Sequence, residues 1–210
     1  MRSKRKRRQL GAALGGRDGY SAGYGNGYHM GRCLAIRGRI PSPAGAVRNM
    51  RVLYVAQGSP GFHAMDIGIT EALRTMVREV LPVVSSDPVA EIAKLYQPDL
   101  VLVLNGLFTV GTDQIDRIRE SGIPTAVWFA DDPYYTDKTF AISRHYDYIF
   151  THEISCVALY REAGCANVMY LPFGANTGLF SPRPVDASKR ADIVFIGMAF
   201  PNRVGFFDQL

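Results

Sequence analysis

Six short apolar runs, spaced so that a helix fits between each pair, limit this chain more than any other feature. Val52 to Ala56, "LPVVSS", "DLVLVLN", "PTAVWFA", "YDYIFT" and the start of "NVMYLPFGAN" are too short for buried helices and do not alternate apolar with polar. Strands covered on both faces read this way, whereas an antiparallel sheet with one wet face alternates. Between the runs lie helical segments. From Asp66, a plausible N-cap, Ile67, Ile69, Leu73, Met76, Val77 and Val80 follow helical spacing; further helices are expected over 87–96, 111–121, 138–144 and 153–163. The alternation predicts an α/β fold, a Rossmann-like open parallel sheet with helices on both faces.

In such sheets ligands bind beyond the carboxyl ends of the strands. Four loops fall at that edge: 57–63, 105–108, 131–136 and 151–153. They carry Gly58, Ser59, Gly61, His63, Asn105, Asp131, Asp132, Tyr134, Tyr135, His152 and Glu153, a polar and aromatic set suited to a sugar or a nucleotide. "GSPGF" is neither the GxGxxG fingerprint nor a P-loop with its lysine, so nicotinamide and ATP sites gain no support. It is either a tight turn that brings the helix onto the sheet or a close backbone approach to a ligand. His63 can serve as a general base near neutrality or stand as a loop histidine in solvent. His152 and Glu153 can simply open a helix, with the carboxylate at its positive end.

The pair Asp131-Asp132 ends the run "PTAVWFA". A carboxylate at a strand end can cap the next turn, which Pro133 would stiffen. Two adjacent charges leaving a buried sheet also repel and need hydrogen bonds or a cation, which a functional edge supplies. A metal site is not expected, because adjacent side chains point apart and no third acid or histidine lies close in sequence. A phosphorylated receiver domain has its acidic pair after the first strand and an acceptor aspartate after the third; here the third strand ends in Asn105.

Charge divides the chain. Residues 1–50 carry eleven Lys/Arg against one acid, and the remainder is acidic although the whole has a net charge of +5. Residues 1–48 open with "MRSKRKRRQ" and repeat Gly-Tyr at 19–20, 23–24 and 27–28, with little aliphatic content to repay the entropy of folding. We read them as a disordered tail. It is either a solvated extension or a grip for nucleic acid or another anionic polymer, with charges on phosphate and tyrosines stacking. No run approaches the roughly 18 apolar residues of a membrane helix, and no apolar leader is present, so no membrane partner is expected. Cys33, Cys156 and Cys165 are odd in number and lack metal-ligand spacing, which suits a reducing, cytoplasmic setting.

Toward the end, "YLPFGANTGLFSP" resembles the P-x-G-x-(D/N)-x-x-x-F-x-P loop that closes the N-terminal domain of two-domain, GT-B-fold glycosyltransferases, matching at Pro172, Gly174, Asn176, Phe180 and Pro182. "ADIVFIGMAFPNRVGFFDQL" resembles the first strand, glycine turn and helix of their donor-binding domain. With "WFADDPY" and "DYIFTHEISCVALYREAGCANVMYLPFGA", residues 50–210 are similar to the spore maturation protein CgeB family of glycosyltransferase-like proteins.

The resemblance implies sugar transfer from a nucleotide-sugar donor substrate, without a further cofactor, to a carbohydrate or glycosylated acceptor. It places an acceptor-side domain at 50–182 and the start of a donor-binding domain at 183–210. The acceptor side would use Asp131, Asp132 and His63 for catalysis, with Gly58, Ser59, Gly61, Asn105, Tyr134, Tyr135, Gly174 and Asn176 around the substrate. Gly197 and Arg203 would face the donor, though Met198 stands where related enzymes often have a basic residue. Only one β/α unit follows the loop, so the expectation is a truncated half with weak or no activity alone, awaiting a donor-binding domain. The alternative is a non-catalytic, carbohydrate-binding or structural protein of the spore surface, tethered by its tail.

Overall fold

A computed structural model describes residues 44–209, apart from 60–61, 108, 177–178, 181–187, 189–190 and 192, together with positions 31, 35 and 39. The tail expectation therefore lies almost wholly outside the described residues. The chain forms two compact units, dividing between Asn176 and Thr177.

The first unit opens with a short helix, α1 (Gly45–Arg48), and then alternates: β1 (Arg51–Ala56), α2 (His63–Met76), β2 (Glu79–Val84), α3 (Val89–Tyr96), β3 (Leu100–Leu104), α4 (Thr112–Glu120), β4 (Thr125–Phe129), α5 (Thr136–Ser143), β5 (Tyr148–Thr151), α6 (Ile154–Glu162) and β6 (Val168–Tyr170). All strand pairs are parallel, in the order β2-β1-β3-β4-β5-β6. The chain leaves β1 for one side, returns to β3 on the other, and then proceeds outward. This reversal creates a switch point between β1 and β3, where the two carboxyl-end loops diverge and leave a crevice.

Burial follows the pleat. Leu53, Val55, Val101, Val103, Val127, Phe129 and Ile149 line one face and pack with Val89, Ile115, Ile118 and Tyr160 from α3, α4 and α6. Tyr54, Ala56 and Leu104 face the other way, against Met65, Ile69 and Leu73 of α2. Both faces of β1 are thus covered, which is why its sequence is continuously apolar. Helix α2 begins at His63 rather than at Asp66, so Asp66 is no N-cap. It sits in the first turn and is buried, because the strand and the loop before it need its oxygens.

At the opposite edge Asp147 ties β4 to β5. Its carboxylate accepts from the Thr125 N–H at 2.9 Å, the Thr125 hydroxyl at 3.0 Å and Arg119 Nε at 2.9 Å. Partial burial works against its charge, but these donors outweigh it and hold the carboxyl below its ordinary range.

In the second unit Pro201–Phe207 forms a helix, α7, as the resemblance implies. The expected strand before it is absent: Ile193 to Ile196 have no strand conformation, and Ile193 and Ile196 are each 91% exposed. A parallel strand exists only beside a neighbour that takes its hydrogen bonds, and no described residue of this unit supplies one.

Replacing Asp147 with Asn should destabilise the first unit by about 1–3 kcal/mol at neutral pH, measured by urea unfolding. Because a lowered folded-state pKa adds stability above the unfolded value and loses it as pH falls through the folded value, the deficit relative to wild type should shrink in acid.

Candidate functional site

The carboxyl edge is built by answering polar groups where the strands stop. After β1 the backbone N–H groups of Gln57 and Gly58 each donate to the Asp66 carboxylate at 3.1 Å, and the Tyr54 hydroxyl donates to it at 2.8 Å. Burial first, then the contact with Asp66, pushes the Tyr54 phenol far above its usual value, so it remains a donor. Gly58 has φ +77°, a conformation that L side chains rarely adopt, and Ser59 donates its N–H to the Gln57 side chain. Residues 57 and 58 are thus fastened to α2. Gly61 lies outside the described residues, and His63 is exposed at the start of the helix.

After β3, Asn105 and Gly106 have φ +67° and +66°. Asparagine tolerates the left-handed region, and glycine is required next because a Cβ at 106 would lie 2.9 Å from Val127 Cγ2. This turn drives the Asn105 amide inward, where its oxygen accepts the Ala130 N–H at 3.1 Å and its nitrogen donates to Asp131 Oδ2 at 2.7 Å. Asn105 is 2% exposed and Asp131 is half-buried. Two predicted site residues therefore meet directly: Asn105 fixes Asp131 at the end of β4.

Asp132 takes a different position. It is 1% exposed, and its oxygens accept from the Thr151 hydroxyl at 2.7 Å and the Tyr160 hydroxyl at 2.9 Å, with Thr139 Oγ1 at 3.3 Å. These hydroxyls come from β5, α6 and α5. Burial first, with the nearby carboxylate adding to it, pushes the Tyr160 phenol well up, and it stays protonated. The expectation of two acids facing a substrate is corrected here: successive residues leaving a strand point opposite ways, and Asp132 points into the core.

The aromatics follow the same turn. Tyr134 is 82% and Tyr135 41% exposed, and Lys138 Nζ lies 5.3 Å from the Tyr135 ring centre. Glu153 caps α6 by accepting from the Ser155 N–H, which also lowers its pKa, so the helix-opening reading of this residue holds. The His152 ring lies 5.0 Å from that of Phe173, tilted by 32°.

The segment after β6 runs back over the sheet. The Trp128 indole donates to the Leu171 carbonyl at 2.9 Å, Phe173 packs on Trp128 at 4.9 Å, and Asn176 donates to Glu71 of α2 at 3.1 Å. Asn176 is thus placed on α2 and Gly174 in the exposed stretch before it, not against Asp131. In the second unit the Arg203 guanidinium lies over Phe195 and Phe200, at 5.7 and 5.0 Å, and donates to the Met198 carbonyl at 3.3 Å beside Gly197. Among the described residues no group of three or more His, Cys, Asp or Glu is arranged for a metal ion, and no helix is long and apolar enough to cross a membrane.

Sequence reading missed Asp66 as an anchor and Tyr160, Thr139 and Thr151 as a set. The available signal was a polar-tipped tyrosine inside each apolar surface, since a buried phenol needs a partner. Removing Asp132 takes the shared acceptor away from three buried hydroxyls, which keep only Thr139 Oγ1 and the Thr136 and Glu153 carbonyls, so Asp132→Ala should cost about 3 kcal/mol in urea unfolding. Asp131→Ala should cost less, about 1–2 kcal/mol, because it leaves one donor, the buried Asn105 amide N–H, without its acceptor.

No protein-family model matches the chain. Among curated proteins, spore protein CgeB of Bacillus subtilis (strain 168) is 31% identical over 159 residues, covering 74% of this chain and 49% of that protein. Among solved structures, the signal receiver domain of the response regulator NarL from Mycobacterium tuberculosis aligns with 59% of this chain and 84% of its own, at 17% identity and a TM-score of 0.32. A LuxR-family response regulator from Aurantimonas sp. SI85-9A1 aligns with 58% and 89%, at 14% identity and 0.37. The response regulator domain of Thermotoga maritima CheB aligns with 62% and 85%, at 16% identity and 0.34. This chain is thus similar to spore protein CgeB over about three quarters of its own length and spans about half of that protein.

Proposed function

We propose that this chain handles carbohydrate at its carboxyl edge, as the acceptor-side unit of a CgeB-like, GT-B-type glycosyltransferase, and that it acts in association with the spore. The observation that carries the reading is Asp131. It ends a central strand near the β1/β3 switch point, has one oxygen held by Asn105, remains half-exposed, and is followed by the open ring of Tyr134. A fixed carboxylate beside an exposed aromatic suits a sugar, whose hydroxyls donate while its apolar face stacks.

In transfer, an acceptor hydroxyl would donate to Asp131. As its oxygen bonds to the sugar carbon and the nucleotide departs with the former bonding pair, the hydroxyl proton would pass to the carboxylate. The donor would engage the second unit through Gly197 and Arg203, and binding a diphosphate there requires the Arg203 guanidinium to leave its aromatic contacts. His63, exposed at a helix start, gains no geometric partner for base catalysis among the described residues.

One observation favours a second reading. The second expected acid, Asp132, is consumed in the core, which suits a non-catalytic carbohydrate-binding or structural spore-surface protein equally well. Deleting residues 1–48 separates the two: a tethered structural protein loses attachment to spore material, whereas edge binding is unaffected.

Calorimetric titration of the 210-residue chain with neutral oligosaccharides should give saturable binding that Tyr134→Ala weakens about fivefold, the equivalent of one lost stacking contact. Turnover of UDP- and GDP-sugars by this chain alone should be weak or absent. Failure of every neutral oligosaccharide to bind contradicts the reading, and strong, saturable sugar transfer by this chain contradicts its assignment to the acceptor side.

A further inference from the structure

In α/β proteins the N–H groups between the first strand and the following helix are a common seat for a ligand phosphate, since they are unpaired and lie at the positive end of the helix. In this chain a side chain already takes that seat. The N–H groups of Gln57 and Gly58 both point at Asp66, each at 3.1 Å, and the third donor on the same carboxylate is the Tyr54 hydroxyl at 2.8 Å. Asp66 is 8% exposed, held from below by a strand residue that is fully buried and from above by the loop. A phosphate ester entering the loop would meet a carboxylate where it needs donors. Asp131, after β4 two strands away on the same edge, adds to the same sign of charge.

We propose that Asp66 is the specificity-determining residue of this edge: it fills the anion position of the β1 loop and restricts the switch-point crevice to uncharged sugar hydroxyls, turning away phosphorylated acceptors. The inference rests on the reading of the edge as a carbohydrate site and goes beyond it by naming the acceptor's charge class. The Gln57 and Gly58 amides are committed inward, so an acceptor reaches the crevice through Asp131 and the exposed tyrosines.

The test follows the Gln57 and Gly58 amide resonances of the isotopically labelled full chain during titration with inorganic phosphate. Wild type should show no saturable shift at these two amides. Asp66→Asn keeps an acceptor oxygen for Tyr54 but loses the charge, and should gain a saturable shift with at least about tenfold tighter apparent phosphate affinity. Saturable phosphate binding at these amides in wild type overturns the proposal, as does an Asp66→Asn protein with native sheet resonances and no gain.

Should Asp66→Asn fail to fold, wild type titrated with N-acetylglucosamine and with its 6-phosphate decides. Preference for the neutral sugar at the edge supports the proposal, and equal or tighter binding of the phosphate form there overturns it. Absence of binding by neutral sugars, with wild type still blind to phosphate, contradicts the proposed function and leaves the role of Asp66 in the loop standing.

Discussion

Six strands that run the same way bring all their carboxyl ends to one edge, and each polar group emerging there must be paired by something other than a neighbouring strand. Three side chains do most of this pairing. Asp66 closes the loop after β1, Asn105 joins the ends of β3 and β4, and Asp132 gathers hydroxyls from α5, β5 and α6. Each carries several hydrogen bonds from a buried or nearly buried position, where an unmet donor or acceptor is costly. With these groups paired, one remaining carboxylate, Asp131, is held by Asn105 and faces outward.

The division of labour between adjacent aspartates shows how structure and function share a short stretch. Asp132 points into the core and is hydrogen-bonded by hydroxyls from α5, β5 and α6, so it organises helices on one face. Asp131 points the other way, to an amide and to solvent. A strand exit that turns at Pro133 and then presents two tyrosines gives a carboxylate and an aromatic surface side by side. The same economy governs the β1 loop, where an internal carboxylate replaces the ligand anion that such loops often bind.

The sheet was legible in the sequence because burial on both faces leaves continuous apolar runs such as "DLVLVLN", and the intervening helices follow in their expected places within a few residues. The meeting of Asn105 with Asp131 was legible only as shared position at one edge; the left-handed turn at 105–106 that joins them depends on Gly106 approaching Val127. Asp66 was misread as a cap because an acid before an apolar period signals one, while the Tyr54 phenol that claims it lies twelve residues earlier in a strand. The apolar run at 193–196 has strand composition without strand structure, since parallel pairing is a property of neighbours and not of a segment.

The central proposal is that the carboxyl edge around Asp131 is where this CgeB-like chain meets carbohydrate. A crystal structure of the chain grown or soaked with a neutral oligosaccharide tests it most directly. The account predicts sugar density with a hydroxyl within hydrogen-bond distance of Asp131 and a ring face over Tyr134 or Tyr135, with Asp132 still enclosed by Thr151 and Tyr160. Sugar bound elsewhere, with the Asn105–Asp131 pair and both tyrosines untouched, would contradict it.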